Sequence, residues 1–563
     1  MARGQSARFD AIVVGSGITG GWAAKELTER GLTTLVLEAG RSIEPGRDYT
    51  EHIQAWQQPF RGYGDTATMA REQPIQKNCY ACDEWGSKFF VNDLENPYTF
   101  DAKKPFHWIR GRHVGGRSIT WGRQVYRWSD LDFEANARDG HGVDWPIRYA
   151  DIAPWYSYVE RFIGITGLAE GLSQLPDGEF LPVMQFQCAE LKVREAAEKK
   201  WGRDRVLTIG RAAILTQNHN GRAACHYCGP CERGCVTHSY FSSLGSTLPA
   251  ARKTGRMTLR PNSVVESVLY DAATGRASGV RVIDAVTMQP TEYRARLVFL
   301  CASALESTRI LLNSKSEHWP DGLANASGAL GRNVMDHCFG SGARGTMPGM
   351  EDQDSFGSRP NGVYVPRFRN VKDAHPKFVR GYGFQGGAWR SGWGRGGLGF
   401  GAAHKNELIK AKGPWQMSLG GWGEMLPRAD NLVDLDPAVK DKWGIPALRV
   451  NCTFGENERA ILEDVQQTAA EMLEAAGAKD ISTYNSQLPP GLCIHEMGTA
   501  RMGRDRKTSV LNGWTQAHDV PNLLITDGAC MASSANQNPS ITYMAFTARA
   551  VDHALQLMKN NEI

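Results

Sequence analysis

At 563 residues the chain is too long for one simple hydrophobic core, so two or more intimately packed domains are expected. A formal net charge of +4, with 41% hydrophobic and 22% charged residues, is ordinary for a globular protein and gives no reason to expect nucleic acid or an anionic membrane as partner. No run approaches the ~18 apolar residues of a membrane span, and Met1 to Arg8 contains no signal-peptide core; the sequence therefore reads as cytoplasmic, with co-export to the periplasm on a signal-bearing partner left open.

Phe9 to Val14 is an apolar run ending at glycine, the pattern of a buried strand. Gly20 to Arg30 has helical composition and Thr33 to Leu37 is a second apolar strand, so the chain opens as a βαβ unit with its glycines at the strand-to-helix turn. Residues 41–105 are polar, rich in aromatics and glutamine, and without clear period; they read as a long excursion over a cofactor or an interface. Leu259 to Tyr270 and Ala277 to Asp284 read as strands joined by the Asp271–Gly275 turn. Leu297 to Cys301 reads as a buried strand and Ser303 to Leu312 as the helix after it. The 346–425 segment, dominated by glycine, tryptophan and alternating aromatics, predicts a separate sheet. Glu456 to Ala476 is the clearest amphipathic helix of the second half, Leu523 to Thr526 is a short strand running into Asp527-Gly528, and Thr542 to Met558 predicts a C-terminal helix. No repeat, low-complexity tract or flexible linker interrupts the chain, so its domains are expected to be interleaved.

Gly15-Ser-Gly17-Ile-Thr-Gly20 stands where a dinucleotide fingerprint belongs. Gly15 permits the tight turn, Gly17 lets backbone approach a pyrophosphate, and Gly20 lets helix and strand pack closely. The helix N-terminus offers free N–H donors to the phosphates. Glu38 closes the second strand, placed to accept ribose hydroxyls. The plain alternative is a structural turn; strand, glycines, helix, second strand and acid in that order favour a dinucleotide, without separating FAD from NAD.

Twelve cysteines in a large chain without a signal peptide argue against a disulfide framework. Four of them, Cys225, Cys228, Cys231 and Cys235, follow C-x₂-C-x₂-C-x₃-C spacing. That spacing matches the bacterial ferredoxin run, except that Val236 stands where proline is usual. Gly229, Pro230 and Gly234 can wrap the loop around an iron–sulfur centre. Zinc also accepts four thiolates, usually as two separated pairs, and reduced, unligated thiols are the third reading. Cys79 and Cys82 read as buried thiols.

Beyond these features, Gly111 to Gly122, Trp145-Pro146-Ile147 with Tyr149 and Asp151, Gly331 to His337, His495 to Gly503, Asn522 to Gly528, and Asn538 to Thr542 resemble, in order, the motifs of the glucose–methanol–choline (GMC) oxidoreductases. The likeness runs from end to end. It implies FAD, bound without a covalent link because Ser118 to Trp121 holds no histidine. The implied fold is α/β plus α+β: a Rossmann-type FAD-binding domain, 1–130, 225–345 and 490–563, interleaved with a substrate domain, 131–224 and 346–489, on a mostly antiparallel sheet.

Carried over residue by residue, the resemblance adds Gly115, Gly116, Ser118, Thr120, Val265, Asp527, Gly528, Pro539 and Thr542 to Gly15, Gly17, Gly20 and Glu38 as FAD contacts. It makes His495 the base that takes a hydroxyl proton, a task suited to a group titrating near working pH. Asn538 holds the substrate oxygen in place, and a structural role falls to His337. Within the family the likeness is to bacterial FAD-dependent sugar dehydrogenase subunits, including glucose and glucoside 3-dehydrogenases. That implies oxidation of a sugar or glycoside hydroxyl, with electrons leaving through a [3Fe–4S] or [4Fe–4S] cluster towards a small subunit and a cytochrome or quinone. Cys231 and Cys235 are the surer ligands, Cys225 against Cys228 staying open. The rivals are an oxygen-using pyranose or alcohol oxidase, and an electron-transfer subunit with no substrate of its own. Trp389, Trp415 and Trp422 are candidates to stack on a sugar, core packing being the commoner use of any one.

Overall fold

The computed structural model describes residues 8–58, 64–355, 357–390, 399–410 and 413–563. Its first sheet grows from the βαβ opening. Arg8–Val14 pairs in parallel with Thr34–Leu37 on one side and with the second half of Pro290–Leu300 on the other. Met257–Arg260 and Leu523–Ile525 extend the parallel pairing at each side. Val13-Val14, Thr34–Leu37, Leu297–Leu300 and Leu523–Ile525 are buried and almost wholly apolar because both faces are covered, while the edge strand Met257–Arg260 alternates half-buried and exposed. Ala11, Val13, Val36, Leu297 and Phe299 pack beneath the helices Ile18–Glu29, Thr247–Lys253 and Ser540–Lys559. Ile12, Val14, Leu35, Leu37 and Leu300 face the other way, into a larger core with the helix Ala304–Asn313.

The first half of Pro290–Leu300 turns away to form an antiparallel ribbon with Arg276–Asp284 and Ser263–Asp271. Here one expectation is corrected: Leu259 to Tyr270 is two strands. Pro261 has no amide hydrogen to continue a ladder, and Asn262 takes a left-handed φ of 55°. Together they end Met257–Arg260 and redirect the chain into Ser263–Asp271.

The second sheet is antiparallel throughout, in the order Lys479–Asn485, His337–Met347, Trp415–Glu424, Tyr382–Arg390, Val363–Val365, Thr208–Ile209. The amphipathic helix Glu456–Ala475 lays Ile461, Val465, Ala469 and Met472 across it. Gly421 and Gly423 make that approach possible, since a Cβ at either would strike Val465 or Ile461. The separate sheet expected from 346–425 is therefore present, although 356, 391–398 and 411–412 lie outside the described residues.

Its edges differ from the expected division at 345/346. The ladder begins at His337 and runs through that point, because hydrogen bonding continues where composition changes. A third sheet joins Thr99–Phe100, Arg332–Met335, Leu432–Lys440, Pro446–Asn451 and Met497–Thr499. It draws strands from both sets of segments and welds them together. Among the described residues no helix is long and apolar enough to cross a membrane.

Candidate active site

One cavity of about 580 Å³ runs from the fingerprint glycines to the mouth of the antiparallel sheet. Arg8–Val14 delivers the chain to Gly15, whose φ is 96° and whose missing Cβ avoids the Cys301 carbonyl. Gly20 serves packing alone: a Cβ there would collide with the Gly15 carbonyl, and the residue does not border the cavity. Gly17 borders it and has open space where a Cβ would stand. Glu38 accepts from the Ser16 amide at 3.1 Å, the Ser16 hydroxyl at 2.6 Å and the Gly40 amide at 3.0 Å. Burial raises its carboxyl above the usual range against these donors.

Gly116, Ser118, Thr120, Val265, Asp527, Gly528 and Pro539 line the walls. Burial lifts Asp527 to about 6, although the Ser307 hydroxyl donates to it at 2.5 Å. Two expected contacts stand behind the wall. The Gly115 amide donates to Ser16 Oγ at 3.0 Å and ties the two glycine loops together. The Thr542 hydroxyl is engaged by Tyr156 at 2.8 Å inside the core. Trp108 Nε1, Arg110 Nε and Tyr543 Oη belong to residues that border the cavity and are buried without a hydrogen-bond partner. The open face of Gly17 beside the cavity and Glu38 at the end of the second strand fit a dinucleotide.

At the sheet end the reacting groups converge. His495 Nε2 lies 3.4 Å from the Asn538 amide nitrogen, and Asn538 Oδ1 accepts from Gln385 Nε2 at 2.7 Å. His495 Nδ1 lies 2.9 Å from His337 Nδ1, whose Nε2 is 3.1 Å from the Ser534 carbonyl. Asp336 holds the backbone of this loop, accepting from the amides of Gly491, Cys493 and His495. Burial first, then Glu496, lifts Asp336 to about 7. Arg117 grips Glu496 through two bonds, of 3.1 and 2.8 Å. Burial, followed by His337 and Arg117, holds His495 well below the ordinary histidine pKa; burial likewise lowers His337 to about 4.

Phe339 and Trp422, stacked with centroids 6.2 Å apart, border the cavity beside these groups. Of the three tryptophans considered from sequence, only Trp422 reaches it. Trp415 is 1% exposed in the core and Trp389 is 47% exposed outside the cavity. Gln385 went unmarked in the sequence because no motif surrounds it: its partner is 153 residues away. His337 also gains a role in the site that its motif alone did not suggest.

Cys225, Cys228, Cys231 and Cys235 line a second, narrow cavity, with Gly229 and Gly234 turning the loop through left-handed φ values of 106° and 104°. Pro360 borders both cavities. Among the described residues, the one trio of ligand-type atoms within 4.8 Å of one another is His337, Cys493 and His495. In that trio the two imidazoles already bond to each other.

Models of the GMC oxidoreductase family match residues 9–339 and 427–547. The chain is 29% identical to 2-methyl-1,2-propanediol dehydrogenase of Mycolicibacterium austroafricanum, covering 97% of this chain and 94% of that protein. It is 24% identical to the fructose dehydrogenase large subunit of Gluconobacter japonicus, covering 98% of each. Its fold is similar to that of pyridoxine 4-oxidase from Mesorbium loti, with a TM-score of 0.59, 16% identity, and 97% of this chain and 99% of that one covered. The chain belongs to the GMC oxidoreductases and is an FAD-dependent enzyme that oxidises a CH–OH group.

Proposed function

We propose that this enzyme is a dehydrogenase that oxidises a sugar or glycoside hydroxyl to a carbonyl and passes the electrons onward through an iron–sulfur cluster. The observation that carries the reading is the facing pair at the cavity's end, His495 Nε2 and the Asn538 amide, 3.4 Å apart. A hydroxyl between them donates its proton to Nε2 while its oxygen accepts from the amide. Gln385 keeps the Asn538 amide turned that way, and Phe339 and Trp422 offer an apolar wall to a sugar face. Gly15, Gly17, Glu38, Ser118, Thr120 and Asp527 are the residues that would hold FAD, which when bound supplies the hydride acceptor. The sugar assignment is supported by likeness to the fructose dehydrogenase large subunit, whose name also supports a multi-subunit assembly here.

The cluster is supported by the C-x₂-C-x₂-C-x₃-C order of Cys225, Cys228, Cys231 and Cys235, which is that of the bacterial ferredoxin run, and by their sharing one narrow cavity. A cluster there would supply one-electron transfer to a cytochrome or quinone.

The test is anaerobic mixing of FAD-loaded protein with sugars, glycosides and small diols, followed by flavin absorbance, with iron and acid-labile sulfide measured on the same sample. Bleaching by sugars, with three or four irons per flavin, supports the proposal. Bleaching by diols alone overturns the substrate class. Absence of iron, with oxygen consumed as fast as a dye is reduced, makes the enzyme an oxidase.

A further inference from the structure

We infer that His337 is a positioning residue: it holds His495 in the tautomer that carries its proton on Nδ1, so that Nε2 is a bare base before any substrate arrives. The consequence for catalysis rests on the alcohol oxidation proposed above; the tautomer itself rests on hydrogen bonding alone.

The assignment follows from a chain of five residues read from either end. At one end the Ser534 carbonyl can only accept, so His337 Nε2, 3.1 Å away, carries a hydrogen. A neutral imidazole has one N–H. His337, buried and lowered to about 4, is neutral at working pH, so its Nδ1 is an acceptor. The hydrogen in the 2.9 Å Nδ1···Nδ1 contact must then belong to His495. A neutral His495 with its proton on Nδ1 has none on Nε2.

From the other end, Gln385 donates to Asn538 Oδ1 at 2.7 Å, which turns the Asn538 NH₂ group towards His495. That NH₂ lies 3.4 Å from Nε2, and a donor in that place requires an acceptor. Both ends assign the same proton to the same nitrogen.

Neighbouring groups do not disturb the result. Cys493 Sγ lies 3.6 Å from His495 Nδ1, but burial keeps the thiol protonated and its S–H is a weak donor. Asp336 is spent on backbone amides and Glu496 on Arg117. Among the described residues no carboxylate bonds to the His495 ring, so the orienting partner is a neutral imidazole where many enzymes use an acid. When Nε2 accepts a hydroxyl proton, the imidazolium so formed donates its Nδ1 hydrogen to His337 as a charge-assisted bond.

The experiment is ¹⁵N NMR of the FAD-loaded protein with labelled histidine, the His495 signals identified by their loss in His495→Gln. It is paired with the rate of flavin reduction in His337→Asn and His337→Leu. Asparagine can present an acceptor oxygen near the place of Nδ1; leucine cannot. Expected are the Nδ1–H form in the wild type and in His337→Asn, with flavin reduction in that variant within about tenfold of wild type. His337→Leu leaves only the Asn538 end of the chain in place, so it is expected to show a measurable share of the Nε2–H form and reduction slower by about tenfold to 10³, with alcohol affinity changed only a few-fold. A wild-type signal in the Nε2–H form overturns the inference whether or not the leucine variant folds, as does a leucine variant that keeps both tautomer and rate. The spectra need no substrate, so a failure of every alcohol to reduce the flavin would overturn the proposed function and leave the tautomer standing.

Discussion

Gln385 donates its side-chain amide to Asn538 Oδ1 at 2.7 Å across 153 residues of sequence. The contact joins the middle of the strand Tyr382–Arg390 to the loop that enters the C-terminal helix, one element from each of the two main sheets' territories. It leaves the Asn538 amide hydrogens free to face His495 and a substrate oxygen.

Gln385→Leu should therefore cost rate more than affinity. Losing one neutral hydrogen bond is worth about 1 kcal/mol, and a misdirected amide adds to that. Stopped-flow reduction of bound FAD is expected to slow by about tenfold, with FAD content and thermal midpoint unchanged. A variant as fast as wild type would show that Asn538 orients itself.

His495→Ala removes the base. Flavin reduction at saturating alcohol should fall by about 10² to 10⁴, while flavin absorbance per protein stays at the wild-type level because the cradle is formed elsewhere. Near-normal turnover would take His495 out of the chemistry.

The pH profile should report the burial of the same ring. His495 is held well below the ordinary histidine value of about 6.5. The neutral, proton-accepting form thus survives as pH falls, and activity is lost only when pH drops through the depressed pKa. Flavin-reduction rates are expected to stay level from about pH 8 to below about pH 6. An acid limb centred near 6.5 that persists in Asp336→Asn, which removes the carboxyl lifted to about 7 beneath the same loop, would mean that the ring is solvated in the working enzyme.

Two glycines of one fingerprint should fail in different ways. Gly17→Ala places its methyl in open space beside the cavity, so the protein should fold and bind FAD at least tenfold more weakly, as equilibrium titration would reveal. Gly20→Ala drives a methyl into the Gly15 carbonyl, so its first effect should be a lowered thermal midpoint of the apoprotein. The reverse pattern would contradict the packing described for this turn.

Cys231→Ser tests the proposed electron exit. Its iron content should fall to background while sugars still bleach the flavin, and turnover with a one-electron acceptor should drop by more than tenfold. Full iron retention would exclude Cys231 as a ligand.

What the sequence determined by itself is local. Phe9 to Leu37 announces strand, glycine turn, helix and strand because each is set by neighbours a few residues apart, and Glu38 follows from the same short unit. His495, Asn538 and the four-cysteine run sit in motifs legible without coordinates. Tertiary structure decided matters that depend on residues far apart in sequence. It sends Thr542 to Tyr156 and out of the cavity, brings Trp422 in and leaves Trp415 and Trp389 out. It also carries the ladder from His337 through the expected boundary at 345/346. Above all it set His337 against His495 and Gln385 against Asn538. A proton's place on an imidazole is set by what its other nitrogen touches, and those touching groups lie 153 and 158 residues from the residues they orient, beyond the reach of any periodic pattern.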